Sequence, residues 1–160
     1  MPTSWRSGRA STPPRALVAT PAEELSPAIS FDGRWLAYSS NETGRREVFV
    51  RPFPESRDAR YPVSTSGGTS PLWNRNGREL LYIDGASNMV SVPILPGPTF
   101  QTGTPTVLFS AQPFRQNVFH RPFDLTPDGK RFVMIRGEND AEVHVVVVFN
   151  FVEELKRRMA

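Results

Sequence analysis

The sequence has no cysteine, only two histidines and only two lysines among 160 residues. Without cysteine there is no disulfide framework, no thiolate metal site and no cysteine nucleophile. No run approaches 18 uninterrupted apolar residues, so no membrane-spanning segment is expected. The first 24 residues lack the apolar stretch of a signal peptide. As written, the chain is expected to stay in the cytoplasm; within a longer protein that expectation lapses. Charge of one sign is not concentrated either. The formal +3 is spread as +1 over each of residues 1–24, 25–150 and 151–160. Nucleic-acid binding needs clustered Lys and Arg, so that class is set aside.

What is plentiful is proline, with 16 residues, beside 11 glycines. This share of proline is about twice the usual one. Proline breaks helices and glycine weakens them, so short strands joined by many turns are expected. Leu, Ile, Val and Phe make up 40 residues. That is more than the fifth of a chain below which disorder is expected, so most of the chain folds.

The main signal is internal repetition. Residues 26–38 read SPAISFDGRWLAY, residues 70–82 SPLWNRNGRELLY, and residues 122–134 PFDLTPDGKRFVM. Ser26, Pro27, Gly33, Arg34, Leu36 and Tyr38 recur 44 residues on as Ser70, Pro71, Gly77, Arg78, Leu80 and Tyr82. Each copy predicts a hairpin turning at Asp32-Gly33, Asn76-Gly77 or Asp128-Gly129, pairs that tolerate positive φ. Third strands are expected at Glu47–Phe53, Met89–Ile94 and Val143–Phe149. Fourth strands are expected near Arg60–Thr65 and Pro105–Phe109. Ala16–Ala19 reads as an orphan outer strand whose own unit is missing. The second strands are apolar on both faces: Leu36 and Tyr38 on one, Trp35 and Ala37 on the other. A sheet wet on one side alternates apolar and polar; a sheet stacked on both sides does not. Four-stranded sheets repeating every 40–50 residues describe β-propeller blades.

The Ser-Pro…Asp-Gly-Arg-Trp-Leu-Ala-Tyr pattern resembles the WD-repeat-like blades of TolB-type β-propellers, over residues 25–150. Phe31 and Arg75 stand where that family usually has proline, and Asn76 replaces its aspartate. The tail FNFVEELKRR resembles the C-terminal end of propellers attached to bacterial serine/threonine protein kinases, where the propeller is a sensing or interaction part. The resemblance implies an all-β partial β-propeller of about three four-stranded antiparallel blades, near 25–65, 69–109 and 119–150. A disordered arm is expected at 1–15 and a capping helix at 151–159, with Phe151, Leu155 and Met159 on one face. Closed propellers carry four to eight blades. An arc of three is therefore expected to be the C-terminal part of a longer propeller, or half of a homodimeric six-bladed ring.

Catalytic chemistry is mostly missing from the sequence. There is no kinase phosphate loop, catalytic-loop Asp or Asp-Phe-Gly, and no Gly-x-Ser-x-Gly elbow. Gly67-Gly68 reads as an inter-blade loop. His120 with Asp124 and a serine could be drawn as a triad, since a serine needs a base oriented by a carboxylate, but Asp124 falls in a strand. His144 opens an apolar strand. Asp32, Asn76 and Asp128 could form an oxygen ring for a hard cation; each precedes glycine, and stabilising turns is the simpler role. No catalytic residue, metal or cofactor is assigned. Ser26, Ser70 and Arg121 are the candidate polar contacts facing a central channel. Trp35, Tyr38, Trp73 and Tyr82 are expected in the inter-blade core. The sequence thus suggests a non-catalytic interaction or ligand-sensing module of a kinase-associated signalling protein. The alternatives are the accessory propeller of a hydrolase or peptidase, and a TolB-like envelope protein.

Overall fold

A computed structural model describes residues 16–55, 59–117, 119–139 and 142–148. The expected arm at 1–15 and helix at 151–159 lie outside the described residues. Every regular element among the described residues is a strand. The first sheet holds β1 (Glu24–Ile29), β2 (Trp35–Ser40), β3 (Glu47–Pro52) and β4 (Tyr61–Pro62), in that order. The second holds β5 (Gly68–Trp73), β6 (Glu79–Asp84), β7 (Asn88–Pro93) and β8 (Thr106–Ser110). The third holds β9 (Phe123–Leu125), β10 (Phe132–Asn139) and β11 (Glu142–Val148), with β10 in the middle. All pairings are antiparallel between chain neighbours. The chain is a partial β-propeller, and the sheets are its blades.

Two apolar seams join the blades. The first packs Ala37, Val48, Val50 and Val63 of blade 1 against Trp73, Leu80, Tyr82, Val90 and Val92 of blade 2. The second packs Leu81, Ile83 and Met89 of blade 2 against Phe123, Leu125, Phe132 and Met134 of blade 3. Alternation along a strand sends neighbours to opposite faces. Leu80 and Tyr82 therefore serve one seam while Leu81 and Ile83 serve the other, which is why the four central residues of β6 are apolar on both faces. Trp73 adds a polar tie: its indole N–H donates to the Ala28 carbonyl at 3.0 Å, joining the first strands of blades 1 and 2.

Ala16–Ala19 belongs to none of the three sheets among the described residues. Leu17 and Val18 instead pack on Leu36, Tyr38 and Phe49 at the outer face of blade 1. The fourth strand of blade 1 is only two residues long, since Pro62 has no N–H to extend it. The hairpins are not two-residue turns with both residues at positive φ. Gly33, Gly77 and Gly129 lie at φ 68–70, whereas Asp32, Asn76 and Asp128 avoid the left-handed region. The Gly33 N–H closes the turn onto the Ser30 carbonyl at 2.9 Å.

Candidate functional site

The three turn Asx residues are not gathered into a ring. Each is used by its own turn. Asp32 Oδ1 accepts from the Ser30 hydroxyl at 2.6 Å and from the Arg34 N–H at 3.1 Å. Asn76 Oδ1 accepts from the Arg78 N–H at 2.8 Å. Asp128 Oδ1 accepts from the Thr126 hydroxyl at 2.5 Å and the Lys130 N–H at 3.1 Å. Hydrogen bonds to the ionised form lower a carboxyl pKa. The Ser30 hydroxyl accordingly holds Asp32 below the usual carboxylate range, and the Thr126 hydroxyl does the same for Asp128. Among the described residues no group of three or more His, Asp or Glu is arranged to hold a metal ion.

Of the three candidate contacts, Ser26 and Arg121 line one hollow and Ser70 stands apart from it. Ser26 and Ser70 sit at equivalent bulges in β1 and β5, at φ 53 and 56. Ser70 is fully buried beside Pro71, so it faces no solvent-filled channel in this arc. The hydroxyl oxygens of both serines are buried and make no hydrogen bond. Arg121 is exposed and shares a hollow of about 650 Å³ with Ser26, His120 and Asp124. No hydrogen bond joins His120 to Asp124: the Asp124 carboxylate accepts from the Leu125 backbone N–H, and the backbone N–H of His120 donates to Asn117 Oδ1. His144 stands opposite Arg136 in the β10–β11 ladder. The elements of a triad are thus not assembled.

Gly67-Gly68 is the crossover from blade 1 to blade 2, and a buried carboxylate holds it. Glu47 accepts from the Gly67 N–H at 3.0 and 3.1 Å, from the Ser64 hydroxyl, and from Arg45 Nε at 2.5 Å. The Ser64 hydroxyl in turn accepts from the Val48 N–H at 2.8 Å. A buried charge is tolerable only when its lone pairs are so occupied.

A cleft of about 940 Å³ lies between blades 1 and 2, at the end where their first hairpins turn. Its third wall is the β7–β8 connection, a finger pinned by Leu95 N–H to the Gln101 carbonyl and Gly103 N–H to the Pro93 carbonyl, 2.9 and 2.8 Å. Pro96, Gly97 and Pro98 make the tip. Phe100, at its base, enters an aromatic cluster with Trp35, Tyr61 and Trp73 at centroid distances of 5.2, 5.4 and 6.3 Å. Arg34 lies over the Trp35 ring at 5.5 Å and reaches the Gly97 carbonyl at 3.4 Å. Arg78, the repeat-equivalent base, lines the same cleft. The acidic residues of the cleft are committed internally: Asp32 to its turn, and Glu79 to the Asn74 amide at 2.9 Å. The surroundings therefore combine an aromatic floor with a rim of two arginines and two carboxylates.

Sequence reasoning placed Trp35, Tyr38, Trp73 and Tyr82 in the core, and all four pack in apolar clusters. It missed Phe100 and the finger. The run Pro93–Thr99 was a visible sign of a long connection, yet nothing in it foretold that Phe100 would return to a seam. Glu47 was missed too, because a lone glutamate at a strand start reads as solvent-facing.

The fold and site define a class, a three-bladed β-propeller arc among the described residues. No protein-family model matches the chain, and no curated protein does. Among solved structures, a puromycin-hydrolyzing peptidase from Mycobacterium tuberculosis superposes with a TM-score of 0.61 at 27% identity, covering 83% of this chain and 21% of the peptidase. TolB from Acinetobacter baumannii superposes with a TM-score of 0.42 at 14% identity, covering 82% of this chain and 42% of TolB. The chain thus spans about a fifth of the peptidase's length and less than half of TolB's.

Proposed function

We propose that this chain is a non-catalytic binding module, a propeller arc that holds a peptide or protein ligand in the cleft between blades 1 and 2. The carrying observation is that cleft: an aromatic floor, two arginines, and carboxylates already tied to internal donors. Such a lining suits a ligand with an apolar, aromatic body and a few charged or polar groups at its edge. Its size falls in the usual range of ligand pockets, about 300–1,000 Å³. The parent context we favour is a hydrolase or peptidase, in which the arc would bind substrate segments for a catalytic domain elsewhere. The 27% identity to a peptidase over most of the chain supports this choice. The kinase-associated sensor is the second reading. It rests on the tail pattern FNFVEELKRR, and the TolB-like envelope role has less support than either.

The test is binding of short aromatic peptides with charged flanks to the purified chain, followed by tryptophan fluorescence, since Trp35 and Trp73 line the cleft. Saturable quenching is expected, and it is lost in Arg78→Glu and Trp35→Ala. Binding unchanged in both variants would overturn the site. Hydrolysis of the peptides by the chain itself would overturn the non-catalytic assignment.

A further inference from the structure

The first strand of each blade, β1, β5 or β9, is an edge of its sheet. The three edges meet around a hollow of about 280 Å³. It is separate from the cleft, and Trp73 stands between the two and lines both. Ile29 of β1, Leu72 of β5 and Leu125 of β9 give the hollow an apolar floor, and Ile29 is 50% exposed. Phe31, Arg75, Arg121 and Asp124 stand around that floor.

The repeat singles out two of these residues. Each first hairpin closes through the same bond, from the N–H of Gly33, Gly77 or Gly129 to the carbonyl three residues earlier, at 2.9, 2.9 and 2.8 Å. The second position of the turn holds Phe31, Arg75 or Pro127. Proline suits that position through its fixed φ. Blade 3 keeps it, whereas blades 1 and 2 do not. Their two replacements meet at the hollow, with the Arg75 guanidinium over the Phe31 ring at 5.7 Å. Phe31 is 59% exposed, so core packing does not account for the ring. Departures from a locally consistent pattern mark functional sites.

Charge sets the ligand. Arg75 and Arg121 are exposed, and neither makes an ion pair among the described residues. The one carboxylate of the hollow, Asp124, accepts from the Leu125 backbone N–H at 2.8 Å. Two cations thus face one anion over an apolar floor. Arginine's planar fork matches a carboxylate. The hollow falls just under the smallest usual ligand pockets, about 300 Å³, so it takes a chain end rather than a length of chain. Edge strands also present unpaired backbone groups, which a peptide can bond and a simple acid cannot.

We propose that this hollow binds the C-terminal carboxylate of a peptide ending in an apolar residue. Arg75 and Arg121 take the carboxylate, and the Phe31 ring positions Arg75. The last side chain rests on Ile29, Leu72 and Leu125. This inference does not depend on what the cleft binds.

The experiment titrates the full chain with an N-acetylated tripeptide ending in leucine, with its C-terminal amide, and with 4-methylpentanoate. Calorimetry is expected to show binding of the tripeptide acid and none of the amide. 4-Methylpentanoate has the same side chain and carboxylate without the peptide groups, and should bind more weakly. Methyl resonances of Ile29 and Leu125 should move, whereas Ile94, in the cleft, should not. Arg75→Pro installs the residue of the third copy, and the Arg75 N–H makes no hydrogen bond that proline would remove. The melting temperature should therefore hold, while Arg75→Pro and Arg121→Ala each weaken binding about tenfold or more. No binding by the parent chain, equal binding of acid and amide, 4-methylpentanoate matching the tripeptide, shifts centred on Ile94, or unchanged affinity in Arg75→Pro would each overturn the proposal.

Discussion

The three turn glycines offer a matched comparison. Gly33, Gly77 and Gly129 hold the same backbone conformation, φ 70, 68 and 68. Their surroundings differ. A Cβ at Gly33 or Gly77 would meet nothing within 4 Å, whereas at Gly129 it would lie 2.4 Å from Asn74 Oδ1. Substitution by alanine should then separate conformational strain from collision. The left-handed conformation costs an L-residue about 1–2 kcal/mol, so Gly33→Ala and Gly77→Ala should each lose about that much. Gly129→Ala carries the same strain plus the displacement of Asn74, whose amide is anchored on Glu79 at 2.9 Å. Overpacking of this kind costs about 1–3 kcal/mol more. For a domain of this size a kcal/mol moves the melting temperature by about 2–4 °C. Urea and thermal unfolding of the full chain measure the differences. Asn74→Ala removes the obstacle, so in that background Gly129→Ala should fall to the cost seen at Gly77. Equal losses at all three positions, or a Gly129 penalty that persists without Asn74, would refute the reasoning.

The buried carboxylate at the blade crossover gives a second expectation. Glu47→Ala leaves the Ser64 hydroxyl and Gly67 N–H without their acceptor, and hydrogen bonds to charged groups are worth about 1.5–3 kcal/mol each. Urea unfolding should show a loss of about 2–4 kcal/mol, less in Glu47→Gln, with faster hydrogen exchange at Gly67; a neutral Glu47→Ala would contradict the network. Asp32 has a pKa below that of the unfolded chain, so its contribution is present above the ordinary carboxyl value and is lost as pH falls through the folded value. Ser30→Ala should move the Asp32 titration upward by nuclear magnetic resonance and narrow its stability deficit in acid; an unmoved titration would contradict this. Tyr82 is pushed the other way, first by burial and then by Asp84 and Glu47. Its unfolded form ionises near pH 10 while the folded one still holds its proton, so stability should fall as pH rises past that point. Tyr82→Phe should flatten the alkaline loss, and an unchanged slope would rule Tyr82 out as its source.

The fold was legible because the repeat writes the same instruction several times. An Asx-Gly turn followed by a strand apolar on both faces carries little weight once; in register with its copies it specifies a sheet that needs neighbours on two sides. Strand positions followed from this to within a few residues. The cleft was less legible, because it depends on contacts between segments far apart in the chain. Trp35 and Phe100 meet only after two blades have docked, and neither local propensity nor spacing encodes that meeting. Ser70 failed for a related reason. Its place at the start of a lead-in strand suggested an axial position, but a bulge at positive φ turned it into the interior, and single-strand periodicity cannot anticipate a bulge.

The repeat also bears on the parts of this arc that have no partner. Val48 and Val145 hold equivalent ladder positions and chemically identical side chains, yet one is 0% and the other 71% exposed. The difference lies in the neighbour, since the strand around each valine is apolar in the same way. A propeller blade is thus a unit whose stability is only half its own. Each internal seam buries two apolar faces, and an arc always ends with two such faces over.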